Sequence, residues 1–201
     1  MSTGLGGSIA VARGDVHIST VHGLYVWRPG EGAVRTLLPR LYILAMCVCN
    51  ERVYVTVEKT VRIYDDGVEV DSFGTPQQLF SLAVADDVVF GNDDELCMFK
   101  RGVRTVLYPN TLNITAHGDK VYALASMSIL VFSTDGTSRT IECGQMHRLC
   151  FVGALMCTSS THWITVWTDP PVHIPCTDVC ALLGGSKSLY ASVDSSIVEY
   201  K

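Results

Sequence analysis

The sequence predicts an all-β fold, a six-bladed β-propeller of short four-stranded blades whose last blade lacks its own outer strand. Three observations predict it. An aromatic residue recurs with a period near 35 residues, each period holds short β-rich runs separated by turn residues, and no segment of ten or more residues carries the apolar stripe of a helix.

The period is anchored at Trp27, Tyr64, Phe99, Phe132, Trp167 and Tyr200, with spacings of 37, 35, 33, 35 and 33 residues. Three residues before each anchor stands Leu24, Val61, Leu96, Ile129, Ile164 or Ile197. Eleven before stands Val16, Val53, Val88, Val121, Met156 or Leu189. These two positions are the ends of a second and a third strand joined by a short polar loop, which makes a hairpin. A first run precedes them at 9–12, 47–49, 82–85, 114–116, 149–152 and 180–183. It ends in a tight polar turn such as Gly14-Asp15, Asn50-Glu51 or Asp86-Asp87. A fourth run follows a Gly or Pro turn at 34–38, 68–71, 103–107, 138–141 and 172–174. Four antiparallel strands make one propeller blade. The blades are expected at 8–42, 43–80, 81–112, 113–148, 149–179 and 180–201 completed by 1–7, within a single domain 1–201.

The sixth repeat stops at Lys201, directly after its third run, so its outer strand must come from elsewhere. Residues 1–7 are topologically placed to supply it, yet they hold three glycines and one Leu, a poor strand composition. Either the N-terminus pairs there or a partner chain donates a strand. Glu199, where the other repeats carry Val26, Ile63, Met98, Val131 and Val166, reads as a solvated residue on a terminal strand, with a charge that blocks the edge or reads a partner as the alternative.

The strand ending aliphatic-x-aliphatic-aromatic and the turn glycines Gly30, Gly67, Gly102 and Gly136 resemble the WD-repeat β-propeller family in divergent form. The resemblance covers almost the whole chain, with Tyr64-Asp65 the nearest approach to that family's dipeptide. It implies the ring architecture and, as in coat-complex and nuclear-pore propellers, a subunit that takes a partner's strand.

Composition excludes several functions. With 15 Lys and Arg against 20 Asp and Glu the net charge is -5, and no basic run exceeds Lys100-Arg101. No nucleic-acid surface is expected, since counterion release needs clustered cations. The longest apolar stretch, 41–49, is far short of a membrane span. The first residues lack a basic region and a long apolar one, so export is not expected and a cytoplasmic location is. Nuclear residence stays open. The eight cysteines then read as reduced, buried apolar residues. Their spacings make no zinc knuckle.

No catalytic motif appears, so no catalytic residue, cofactor or metal is expected. There is no G-x-S-x-G elbow, and 184–188 (Gly-Gly-Ser-Lys-Ser) is not a phosphate loop. Asp93-Asp94-Glu95 reads as a solvated acidic loop, since it lacks the alternating ligands of a calcium loop. Cys47, Cys49, His117, Cys150 and Cys180 fall on inner strands, which line a propeller's axis, but no carboxylate joins them. Arg35, Arg104 and Arg139 read as solvated rim charges.

One face of the blades would gather aromatics, Met and Arg, and the opposite face mostly charges. Interface cores favour the first composition. The expected partner-binding residues are Trp163, His162, Tyr42, Phe73, Tyr108, His147, Arg148 and His22, with Trp163 the strongest anchor. The expected function is a non-catalytic protein-interaction scaffold, a subunit of a larger assembly binding other protein chains. The rival readings are a small-ligand or carbohydrate-binding propeller and a channel-based hydrolase.

Overall fold

Every described strand pairs antiparallel, and strands follow one another in sequence order across each sheet. The computed structural model describes residues 8–20, 22–177, 179–184, 187–193 and 196–201, apart from the side chains of residues 180, 181 and 183. Residues 1–7, expected to close the sixth blade, lie outside the described residues. Two compact units emerge, Met1–Pro109 and Asn110–Lys201.

The first unit holds three four-stranded sheets. These are β1 (Ile9–Ala12), β2 (Asp15–Thr20), β3 (Gly23–Trp27) and β4 (Val34–Pro39); β5 (Ile43–Cys49), β6 (Arg52–Val57), β7 (Thr60–Asp65) and β8 (Val68–Gly74); and β9 (Ser81–Ala85), β10 (Val88–Asn92), β11 (Glu95–Lys100) and β12 (Val103–Pro109). The turns explain the tight joints. Arg13-Gly14, Asn50-Glu51, Asp66-Gly67, Asp86-Asp87 and Arg101-Gly102 each place two successive residues at positive φ. That is the two-residue turn whose twist matches the flanking strands. First strands pack side by side, β1 on β5 and β5 on β9. Ala12, Leu24, Ile43, Val53, Val55 and Tyr64 fill the first gap. Tyr54, Val61, Leu79, Val84, Val89 and Phe99 fill the second.

The second unit holds two four-stranded sheets and one of three strands. They are β13 (Asn113–His117), β14 (Lys120–Leu124), β15 (Ser128–Ser133) and β16 (Ser138–Glu142); β17 (Arg148–Val152), β18 (Leu155–Ser159), β19 (Trp163–Val166) and β20 (Val172–Pro175); and β21 (Val179–Gly184), β22 (Leu189–Val193) and β23 (Ser196–Tyr200). Here β13 packs on β17 and β17 on β21. Leu124, Ile129, Val131 and Leu149 fill one gap, and Cys150, Cys157, Ile164 and Leu189 the other.

Blade count is corrected from six to five. Five sheets have four strands, and the last repeat forms only a three-stranded sheet among the described residues. Burial gives the physical reason. Leu24, Val61, Leu96, Ile129 and Ile164, the aliphatics three residues before the first five aromatics, are each 0% exposed. Ile197, their counterpart in the sixth repeat, is 80% exposed. The sequence motif marks a third strand, and here that strand belongs to a three-stranded sheet and leaves its motif aliphatic in solvent.

Candidate functional site

The eight residues expected to bind partners divide equally between the two units. Four of them gather at one end of the β17–β20 sheet. A serine-based turn connects β18 to β19: Ser160 N donates to Trp163 O at 2.8 Å, and Ser160 Oγ accepts from the backbone N–H groups of His162 and Trp163 at 3.3 and 3.2 Å. His162 O accepts from Cys176 N at 2.9 Å, which ties the exit of β20 to the same turn. The entry of β17 joins them through His147 N, which donates to Ser159 O at 2.6 Å. His147 Nε2 meets Thr161 Oγ1 at 3.2 Å, and Arg148 Nη1 donates to His147 O at 3.0 Å. Trp163 is thereby held by its backbone while its side chain stays in solvent, at 48% exposure. His162 is exposed, His147 and Arg148 half-buried.

The corresponding end of the β13–β16 sheet adds Met127, which the sequence places on the aromatic-rich face, and Leu112, which it does not. Met127, in the β14–β15 turn, is 62% exposed, and Leu112, just before β13, is 55% exposed. A signal for both existed, since each is an apolar residue inside a connection that would otherwise be polar. Together with Trp163 they give the second unit an end with an apolar character.

In the first unit, His22, Tyr42 and Tyr108 are exposed and separate. His22 accepts Arg40 N at its carbonyl, 2.8 Å away, and Tyr42 stands in the connection between β4 and β5. Tyr108 pairs with Leu96 beside a bulge in β12. Phe73 is instead half-buried against the core, its ring centroid 5.7 Å from that of Phe99. Phe80, unremarked in the sequence, is exposed, because its neighbour Leu79 takes the inward position. Leu79 in turn packs directly over Gly91, where a Cβ would come within 2.5 Å of Leu79 Cδ1 and displace that side chain.

Part of the charged end of the first unit is paired internally. Arg28 donates two bonds of 2.8 Å to Asp15, whose carboxyl this hydrogen bonding holds below the usual range. Asp65 receives Arg13 at 2.7 Å and Arg52 at 3.6 Å, and the Glu51 carboxylate accepts Arg13 N.

Groups able to hold a metal or act chemically are engaged elsewhere. Asp93, Glu95 and Cys97 bring donor atoms within 4.8 Å of one another. Arg104 already supplies the cation, at 2.7 Å from Glu95 and 3.8 Å from Asp93. Asp93 Oδ1 accepts the N–H groups of residues 94 and 95, and burial keeps the Cys97 thiol protonated by pushing it up. Burial does the same to Cys47 and Cys49. His117 lies flat on Phe151, ring centroids 4.3 Å apart at 7°. Cys150 and Cys157 face each other across β17 and β18. The side chain of Cys180 lies outside the described residues.

No protein-family model matches the chain, and no curated protein does. Solved structures do. The extracellular domain of a putative hybrid two-component system of B. thetaiotaomicron superposes with a TM-score of 0.73 over 96% of this chain at 10% identity. This chain spans only 31% of that one. BBS1N, solved in complex with ARL6DN, gives a TM-score of 0.71 at 13% identity, covering 97% of this chain and 78% of that one. Hydrazine synthase of Kuenenia stuttgartiensis gives 0.68 at 11% identity, over 92% of this chain and 72% of that one. These likenesses are consistent with a divergent β-propeller fold, the coarser part of the resemblance read from the repeats. A protein held in a complex and an enzyme share that fold, so fold alone assigns neither role.

Proposed function

We propose that the chain is a non-catalytic interaction scaffold, one subunit of a larger assembly, that takes an extended strand from another protein along β23. One observation carries this reading. β23 is the outer strand of a three-stranded sheet, no described strand pairs with its free side, and it bears Ile197 at 80% exposure. Alternate residues of such a strand turn N–H and C=O groups outward, and folded proteins pair or cover such edges. A donated strand satisfies them and covers the isoleucine. The exposed Trp163, beside His162, His147 and Arg148, supplies a second contact on the same unit, with Tyr42, Tyr108 and His22 offering others. BBS1N, a propeller of the same fold, was solved with a protein partner, which supports the class of function.

Cytoplasmic residence belongs to the same proposal. It is supported by the cysteines among the described residues, seven of which are free thiols, three of them buried. Cell fractionation tests it.

The scaffold reading is tested by purifying the native complex with wild-type, Ile197→Pro and Trp163→Ala chains. Proline removes an N–H from the edge and cannot accept a paired strand. The expected result is loss of a stoichiometric partner with I197P and at least tenfold weaker retention with W163A, each with an unchanged far-UV CD spectrum. Recovery of the same partners in the same amounts by I197P refutes strand donation. Their recovery by both variants refutes the scaffold surfaces altogether.

A further inference from the structure

Between the sheets β5–β8 and β9–β12 the packed core ends before the gap does. Tyr54, Ile63, Val89 and Phe99 close its inner end, each less than a tenth exposed. Phe73 leans on Phe99 from β8. Beyond this floor opens a cleft of about 530 Å³, within the range that holds a small ligand. Burial, with Asp87 nearby, pushes the Tyr54 phenol up to about 12, so it stays a neutral group able to donate.

The rim carries charges of both signs. Arg52 and Arg101 stand with Asp71 and Asp87 around the opening. Arg52 is 3.6 Å from Asp65, which already holds Arg13, and Asp71 Oδ1 accepts Ser72 N at 2.8 Å. Arg101 and Asp87 make no ion pair among the described residues. Each sits in a two-residue turn at positive φ and lines the cleft. A ligand of one sign would face an opposing charge on this rim as well as an attracting one. A molecule carrying both signs beside a flat apolar group matches all of it. An internal peptide residue does not, because neutral amides replace both its charges.

We propose that this cleft binds a free aromatic α-amino acid. The ring lies against Phe73, Phe99 and Tyr54, the carboxylate meets Arg101, and the ammonium meets Asp87. Ring contact supplies the apolar burial, and the two charge-assisted contacts select the zwitterion. This site is separate from β23, and neither proposal depends on the other.

Isothermal titration of the full chain with phenylalanine, tyrosine and tryptophan tests it, beside phenethylamine, 3-phenylpropionate and the N-acetyl amide of the tightest of the three. The expected result is saturable 1:1 binding of at least one amino acid. Each analogue lacking a charge should bind about tenfold more weakly or worse, the size of one lost charge-assisted contact. Arg101→Gln and Asp87→Asn should weaken the amino acid similarly while leaving the thermal melt unchanged, since both side chains lie in open turns and asparagine tolerates positive φ. Absence of saturable binding for all three amino acids overturns the proposal. So does undiminished affinity in both variants. Equal affinity for the N-acetyl amide also overturns it, and marks the cleft as a peptide groove instead.

Discussion

His17 shows how one buried residue sets a pH response. It lies on β2 at 5% exposure, and its Nδ1 has no hydrogen-bond partner among the described residues. Around it stand Asp15, which favours its charged form, and Arg35, which opposes it, with Arg13, Glu51 and Asp66 lining the same small recess. Burial outweighs the rest and holds its pKa below the usual 6.5. Below pH 6.5 the unfolded chain therefore binds more protons at this position than the folded one, and stability falls as pH drops. Asp15 acts in the same sense but further down, because hydrogen bonding to Arg28 holds its carboxyl below the usual range. Between pH 7.5 and 5.5, wild-type urea midpoints should drop, and His17→Leu should drop less. An equal drop in both would mean that His17 does not carry the response. The residue scale was also where sequence reading reached least far. A histidine on a β-rich run looks the same whether its ring is paired or orphaned. Nothing in 77–80 said which of Leu79 and Phe80 turns inward, because that choice is made by packing against other strands, Gly91 and Val61 among them.

At the level of elements, strand order and hairpins were legible because turn chemistry and two-residue side-chain alternation are local properties. The outer strands were legible too, and their exposed Val68, Val70 and Val103 fit a strand with one face in solvent. What escaped was contact between sheets. Thr56 is an example: its Oγ1 accepts Ala45 N at 2.9 Å and donates to Leu79 O at 3.4 Å, so a single hydroxyl ties three segments together. Gly184 is another. A Cβ there would collide with the backbone carbonyl of Phe151 on β17, so only glycine lets β21 approach so closely. Gly184→Ala should therefore cost roughly 1–3 kcal/mol, as over-packing does when the neighbour is backbone. Gly14→Ala gives the contrast. Position 14 has φ +78° with nothing within 4 Å of a Cβ, so its cost of about 1–2 kcal/mol is purely conformational. Amide spectra distinguish the two: G184A should shift resonances across β17 and β21, and G14A only those of its own hairpin. If G184A leaves β17 unshifted, the close approach is not real.

For the whole molecule, the repeat made the architecture legible and also produced the error in blade count. Counting aromatic anchors counts third strands, and among the described residues the last of these has no fourth beside it. Ile197 fits the motif as well as Ile164 does, yet one is in solvent and the other fully buried. Burial is a property of neighbours, which periodicity does not record. The same exposed positions govern how the chain behaves in solution. At neutral pH its charge of -5 keeps copies apart. That repulsion vanishes near the sequence pI of about 5.6, leaving Ile197, Met127 and Trp163 on the surface with nothing to oppose contact. Light scattering should show self-association setting in as the pH falls from 7.5 towards 5.6. Ile197→Asp should delay it, because a carboxylate on the free edge of β23 both adds negative charge and disfavours strand-to-strand pairing. An onset unchanged by I197D would show that the edge is not what associates, and would weaken the case that another chain pairs there.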